Sequence, residues 1–299
     1  MSEAVGHGAA LATAALWSAS YVLFTIAVRR IGAPALNRIR LAIALAFLLA
    51  THLIVYGSIV PLHASVERWL WLGLSGVIGF AMSDALLFRA LDRLGAHRTS
   101  LVMTAVPVMS ALLGWAILGE QLSAVRCGAI AVTLAGIAVV LWEPRTPRAD
   151  GARPGLLLGV GFALGAAVAQ AARYILSKKG MAGAFPVLST NLLQILCASA
   201  AAWGWATLRG QLRSTWRRLA AREAAFPTLA GAVAGPYVGV TLSLVALRAA
   251  PVGVASTLMA LPPVLLLFVE RFVFGTPIRL RAVLGTAIAL AGVALIFAT

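Results

Sequence analysis

The chain has 299 residues, 61% of them hydrophobic and only 11% charged, with a mean hydropathy of +0.96. Soluble domains carry roughly 25% charged residues, so this composition excludes a water-soluble globule and makes lipid the solvent. The net charge of +15 does not point to nucleic acid, because the arginines fall in short clusters between apolar runs, as loop arginines of a membrane protein do.

A bilayer core about 30 Å thick needs roughly 20 apolar residues per helix. Ten such runs follow one another, at 9–28, 34–56, 69–90, 97–118, 124–142, 155–177, 185–208, 226–247, 252–274 and 280–298. The predicted fold class is therefore an all-α membrane protein of ten transmembrane helices. The leading segment MSEAVGHG has no basic n-region, so the first run is expected to be a retained helix and not a cleaved signal. Loops after odd-numbered spans hold 16 of the lysines and arginines, and loops after even-numbered spans hold 5. The positive-inside rule then puts the odd loops in the cytoplasm and both termini outside it. In RGQLRSTWRRLAAREAAF (209–226), Leu212, Trp216 and Leu219 recur at helical spacing among arginines, which predicts an amphipathic segment over 209–223 on the cytoplasmic leaflet.

Polar groups inside apolar spans cost energy and are functional candidates by default. In the first span, Trp17 and Tyr21 share a helix face at i, i+4, where they either contact substrate or pack. Arg38 and Arg40 stand one turn inside the second span and are expected to snorkel to the surface. Asp84 is the only carboxylate well inside a span. It either binds a substrate ammonium or coupling proton, or forms an ion pair with Arg89 or Arg173. Gln170, Arg173 and Tyr174 make a polar stripe at i, i+3, i+4 in the sixth span, where the arginine either takes a substrate carboxylate or snorkels a turn and a half to the surface. Asn191 and Gln194 give the seventh span a polar stripe. In AGPYVGV (234–240), Pro236 predicts a helix break, with Tyr237 and Thr241 beside it as substrate-contact candidates. In LMALPPVLLL (258–267), Pro262 and Pro263 interrupt an apolar run, each costing roughly 3 kcal/mol in a helix interior.

Cys127 and Cys197 lie alone in apolar segments and are expected to be buried, inert thiols, and His7, His52, His63 and His97 are scattered. Neither set has metal-ligand or disulfide spacing, so no metal or cofactor is expected. There is no nucleotide-binding GxxxxGK[ST] run, which leaves a gradient as the energy source.

Sliding the chain over itself by 156 residues superimposes Gly79 on Gly235, Ser100 on Ser256, Met103 on Met259, Pro107 on Pro263 and Leu134-Ala135-Gly136 on Leu290-Ala291-Gly292. The chain thus reads as a five-helix unit duplicated, residues 1–145 followed by 146–299. Five is odd, so the second copy must enter the membrane inverted, and inverted repeats place a binding site where the copies meet. The paired breaks at Pro107 and Pro263, with Pro262 peculiar to the second copy, mark that site and set Met103, Thr104 and Met259 on its wall.

These residues resemble the ten-helix, EamA-type members of the drug/metabolite transporter superfamily. The likeness runs through LWSASYV (16–22), RIRLAIA (38–44), ALLFRALDRLGAHRTSLVMTAVPVMSALLGWAILGEQLS (85–123), GAIAVTLAGIAVV (128–140) and ALRAAPVGVASTLMALPPVLLLFVERFVFGTPIRL (246–280). Thr276 stands where Glu120 does in the first copy, so no symmetric role for that glutamate is implied. The resemblance implies secondary transport of small organic solutes through a cavity among helices 1, 3, 4, 6, 8 and 9 of an inner-membrane protein. Amino-acid export or exchange is the favoured case; sugars, nucleotide-sugars and phosphate esters are carried elsewhere in the superfamily. The expected partners are a small-molecule substrate and membrane lipid, with no nucleic acid and no fixed oligomeric state. A channel or an intramembrane enzyme is the alternative of another class, although no two of the nine acidic residues lie together in one span, as an enzyme of this kind would need.

Overall fold

The computed structural model describes residues 2–118, 123–142, 155–183, 185–219, 222–249, 255, 258–272, 275 and 278–298. Glu120, Thr276, Ser256 and the boundary at 145/146 lie outside the described residues. Every regular element among the described residues is helical. In chain order they are α1 (Glu3–Ile31), α2 (Ala33–Tyr56), α3 (Val66–Leu94), α4 (Ala96–Met103), α5 (Val106–Leu118), α6 (Ala124–Leu141), α7 (Leu156–Gly180), α8 (Val187–Leu208), α9 (Leu212–Leu219), α10 (Arg222–Ala249), α11 (Pro262–Phe272) and α12 (Leu280–Ala298). Seven of these, α1, α2, α3, α6, α7, α8 and α10, are long and apolar enough to cross a membrane.

Single glycines make the sharpest joints. Gly32 (φ 77°) and Gly95 (φ 80°) alone connect α1 to α2 and α3 to α4, in backbone conformations that a side chain would strain. Each also caps the helix it ends, donating its N–H to Val28 O at 2.8 Å and Leu91 O at 3.0 Å. Ser65 and Ser123 cap the starts of α3 and α6 by accepting from the N–H groups of Arg68 and Arg126.

Burial is inverted relative to a soluble protein. Ile54, Leu157, Leu208 and Phe272 are at least 80% exposed, while Thr13, Asn37, Arg40, Arg173 and Gln194 are at most 4% exposed. An apolar outside around a polar inside is the arrangement lipid requires. Cys127 follows the same logic and departs from expectation: it is exposed on α6, because an outward apolar face is as acceptable to a thiol as a core. Cys197 is half-buried, and both thiols are free.

The two halves of the chain share element boundaries at a fixed offset. Val66–Gly76 and Arg222–Ala232 are α-helical and each is followed by a π-helical stretch, Val77–Ser83 and Val233–Gly239. The starts of α5 and α11, at Val106 and Pro262, and of α6 and α12, at Ala124 and Leu280, repeat the same 156-residue step.

Contacts between the halves are reciprocal. Gly136 of α6 packs on the backbone of Ala289 in α12, and Gly292 of α12 packs on Thr133 in α6, so tightly that neither glycine has room for a Cβ. Ser83 Oγ of α3 donates to Ala166 O in α7 at 2.8 Å; Thr13 Oγ1 of α1 lies 3.5 Å from Gly239 O in α10.

The structure corrects three readings of the prolines and basic residues. Pro236 does not break α10: the helix widens to i→i+5 pairing, Val240 N–H reaching Gly235 O, and so continues past the missing proline N–H. Pro262 and Pro263 are not in a helix interior. The chain unwinds at Ala260–Leu261 and α11 begins at Pro262, where a missing N–H would be unpaired in any case. The break needs no second proline, since Thr104–Ala105 opens at the matching place before α5, whose second residue is Pro107. Arg38 and Arg40 are not exposed at the surface: they are 6% and 2% exposed, and Arg40 turns to interior partners while Arg38 is covered by the segment that leads into α9. Arg38 Nη1 donates to Gln211 Oε1 at 2.9 Å, tying α2 to the start of α9. Arg218 on α9 donates to Ile31 O, the carbonyl end of α1, at 2.6 Å.

Candidate functional site

A cavity of about 490 Å³ opens between the two halves. Trp17 and Tyr21 of α1 line it, as do Asp84 of α3, Met103 of α4, Thr104 of the first break and Pro107 of α5. From the second half come Gln170, Arg173 and Tyr174 of α7, Pro236 of α10, Met259, Pro262 and Pro263. Of the fifteen residues read from sequence as substrate contacts or helix breaks, thirteen thus meet around one space.

Tyr237 and Thr241 do not line it. Tyr237 Oη lies 2.6 Å from Thr51 Oγ1 and its ring stacks on Phe47, so it faces α2. Thr241 Oγ1 donates to Tyr237 O at 2.6 Å and accepts from Asn191 Nδ2 of α8 at 3.0 Å. The cavity face of α10 is Pro236, Val240, Leu244 and Leu247, and Tyr237 and Thr241 lie on the neighbouring face.

The π-helical stretches explain the polar residues of α2 and α8. Pairing at i→i+5 misaligns carbonyls, and each must find another donor in a dry interior. In the first half, Asn37 Nδ2 donates to Ala81 O at 2.9 Å and Arg40 Nη2 to Phe80 O at 3.0 Å. In the second half, Asn191 Nδ2 serves both matching carbonyls, Pro236 O at 2.9 Å and Tyr237 O at 3.4 Å.

Arg40 does more than support the backbone. Its Nη2 forms an ion pair with Asp84 Oδ2, and Asn37 Oδ1 accepts from its Nε and Nη2. The Phe88 ring lies 4.9 Å beneath the guanidinium. The partner of Asp84 is therefore Arg40, not the Arg89 or Arg173 considered from sequence. Linear spacing gave no hint, because 44 residues separate the two; only the polar Asn37-Arg40 step on α2 hinted at an inward face.

Arg173 is placed differently. It is 1% exposed, its Nε donates to Gln170 Oε1 at 3.2 Å, and Phe80 and Tyr174 hold rings 4.7 and 4.8 Å from its guanidinium carbon. Its Nη1 is buried with no hydrogen-bond partner, and among the described residues no carboxylate pairs with it. Gly79 makes the position possible: a Cβ there would overlap Arg173 Cδ. Gly235 makes the matching approach to Ser20 Oγ, where a Cβ would stand at 3.0 Å. The first half thus offers a hydroxyl where the second offers a guanidinium.

The other basic residues of the lining, Arg126 and Lys178, are near helix ends, half-buried and exposed respectively. No cluster of metal-binding side chains occurs among the described residues. The cavity can therefore receive a molecule with an anionic group and a largely apolar body, since the rest of the wall is mostly apolar, with Phe24, Leu87, Leu91, Leu244 and Leu247 among it, and carries hydroxyls at Ser20, Ser100, Ser110 and Ser177.

A solved crystal structure, described only as that of a protein, matches with a TM-score of 0.63 and 18% identity over 97% of this chain and 94% of its own. At that identity the likeness shows the fold alone. No curated protein matches the sequence. The model of the EamA-like transporter family matches twice, over residues 4–142 and 157–298, the two copies read from the 156-residue repeat. The chain belongs to the EamA-like transporter family.

Proposed function

We propose that this chain is a secondary-active carrier of small organic metabolites in the inner membrane, working as an exporter or exchanger of amino acids. The observation that carries the reading is one cavity walled by both copies, with an ion pair from the first and an unpaired guanidinium from the second. In this reading α4 with α5, and the stretch through Met259 with α11, are broken spans four and nine. Together with the seven long helices and α12 they make ten.

Five spans per copy invert the second relative to the first, and the reciprocal contacts support that relation. Alternating access then rocks one copy against the other about the α6–α12 seam. The arginine count supports a cytoplasmic face carrying α9 and the 145/146 join, with both termini outside. The boundary between the copies falls at that join.

Nine cavity residues are proposed to contact substrate: Trp17, Tyr21, Asp84, Met103, Thr104, Gln170, Arg173, Tyr174 and Met259. Pro107, Pro236, Pro262 and Pro263 are proposed to shape the moving segments. Tyr237 and Thr241 support the α2–α8–α10 contact instead.

Phosphate esters are the second substrate class, because a guanidinium pairs with phosphate oxygens as well as with carboxylate. Uptake into proteoliposomes of labelled amino acids, sugars and phosphate esters tests the proposal. Saturable amino-acid uptake without saturable phosphate-ester uptake is expected, and the reverse pattern overturns the amino-acid reading.

A further inference from the structure

The two charged centres of the cavity differ in what they leave available. Asp84 is already matched: Arg40 holds Oδ2, and Asn37, Phe80 O and the Phe88 face complete the shell of that arginine. A neutral pair presents little net attraction to an ammonium group. Arg173 is the opposite case, a buried cation whose Nη1 lacks a partner and whose plane is fixed by Gln170 and two rings. Asp84 acts on Arg173 only from beyond contact distance, being held by Arg40, so the buried Nη1 keeps an unmet hydrogen bond that a substrate anion entering the cavity can satisfy.

We infer that the site selects substrate through a carboxylate taken by Arg173 and not through an ammonium group. This rests on the proposed carrier function and narrows its substrate class. The acceptable compounds are monocarboxylates with an apolar body, of which apolar amino acids are one case. Removing the α-amino group leaves recognition intact; removing the carboxylate abolishes it. A phosphate dianion is disfavoured because Arg173 is the one fully buried cation of the lining with no acidic partner among the described residues. Gln170 is a positioning residue, acting by holding Nε.

Calorimetric titration of the purified full-length protein in detergent tests this with four probes: leucine, 4-methylpentanoate, 3-methylbutylamine and inorganic phosphate. Leucine and 4-methylpentanoate are expected to bind within about threefold of each other, with no heat from the amine or from phosphate. Arg173→Gln is expected to weaken both acids on the order of tenfold or more, the scale of one lost charge-assisted hydrogen bond. Arg173→Lys should fall between, because the charge survives without the planar fork. The amine binding as well as leucine, phosphate competing with leucine, or no binding by either acid would each overturn the inference. The wild-type ranking decides even if Arg173→Gln does not fold. Binding of the acids without amino-acid transport would instead sink the carrier reading and leave this one standing.

Discussion

Gly79 of α3 and Arg173 of α7 touch so closely that the glycine's missing side chain is the space the arginine's Cδ occupies. The guanidinium that reaches the cavity depends on that vacancy, so a residue without chemistry of its own sets the position of one that has it.

Gly79→Ala therefore displaces Arg173 without altering any charge. Overpacking of this kind typically costs about 1–3 kcal/mol, and affinity for 4-methylpentanoate should fall roughly tenfold as the guanidinium leaves its place. Melting of the purified protein followed by titration checks both numbers. Unchanged binding in Gly79→Ala would show that Arg173 does not depend on this approach.

Arg40 and Asp84 predict a different pattern. Removing one member of a buried pair leaves an uncompensated charge or a stranded acceptor, which costs about 3–5 kcal/mol, whereas replacing both by apolar residues is often near neutral. Asp84→Leu and Arg40→Met should each lower the melting temperature markedly, and the two together should recover part of the loss, the remainder reflecting Phe80 O and Asn37 Oδ1 left without Arg40. Equal, additive losses in the double variant would mean the pair is not coupled. If Asp84 also carries a coupling proton, Asp84→Asn abolishes dependence of uptake on an imposed pH gradient, and unchanged dependence excludes that role.

Asn37 and Asn191 serve corresponding π-helical carbonyls in the two copies. Alanine at either position strands buried acceptors at a cost of about 1–3 kcal/mol. Asn37→Ala should be the more damaging: Arg40 still serves Phe80 O when Asn37 is removed and Thr241 still serves Tyr237 O when Asn191 is removed, but Asn37 also accepts two bonds from Arg40 that are then lost. Thermal melting of the two single variants gives the order.

At the breaks, Pro263→Ala restores an N–H able to bond the carbonyl of Met259 and let the helix close through Ala260–Leu261. Pro107→Ala does the same in the first copy with Met103. Both should slow transport more than Pro262→Ala, which alters only the first position of α11. Initial uptake rates measured at equal amounts of reconstituted protein rank the three, and equal rates would reduce these prolines to generic helix starters.

Local and repeated patterns were legible in the sequence. Gln170, Arg173 and Tyr174 could be placed on one inward face because helical spacing is fixed at 3.6 residues per turn. The partnership of Pro107 with Pro263 followed from a constant offset. What could not be read were features set by long-range geometry. The Arg40–Asp84 pair joins residues on separate helices, and apolar periodicity says nothing of which arginine turns inward. The π-helical stretches add a single residue to a turn, too little to disturb the hydropathy pattern, and nothing local to α10 tells that Tyr237 and Thr241 face α2 and α8 while Pro236 faces the cavity. Pro236 was legible as an irregularity but not as a widened helix, because the compensating donor, Asn191, comes from another element.

A carrier of this kind alternates between two faces. Counterflow in proteoliposomes tests it most directly: vesicles preloaded with unlabelled leucine take up labelled leucine from outside. Transient accumulation above equilibrium is expected, with trans-stimulation that is lost in Arg173→Gln. Uptake that never exceeds equilibrium and is indifferent to the preload would contradict it and point to a channel.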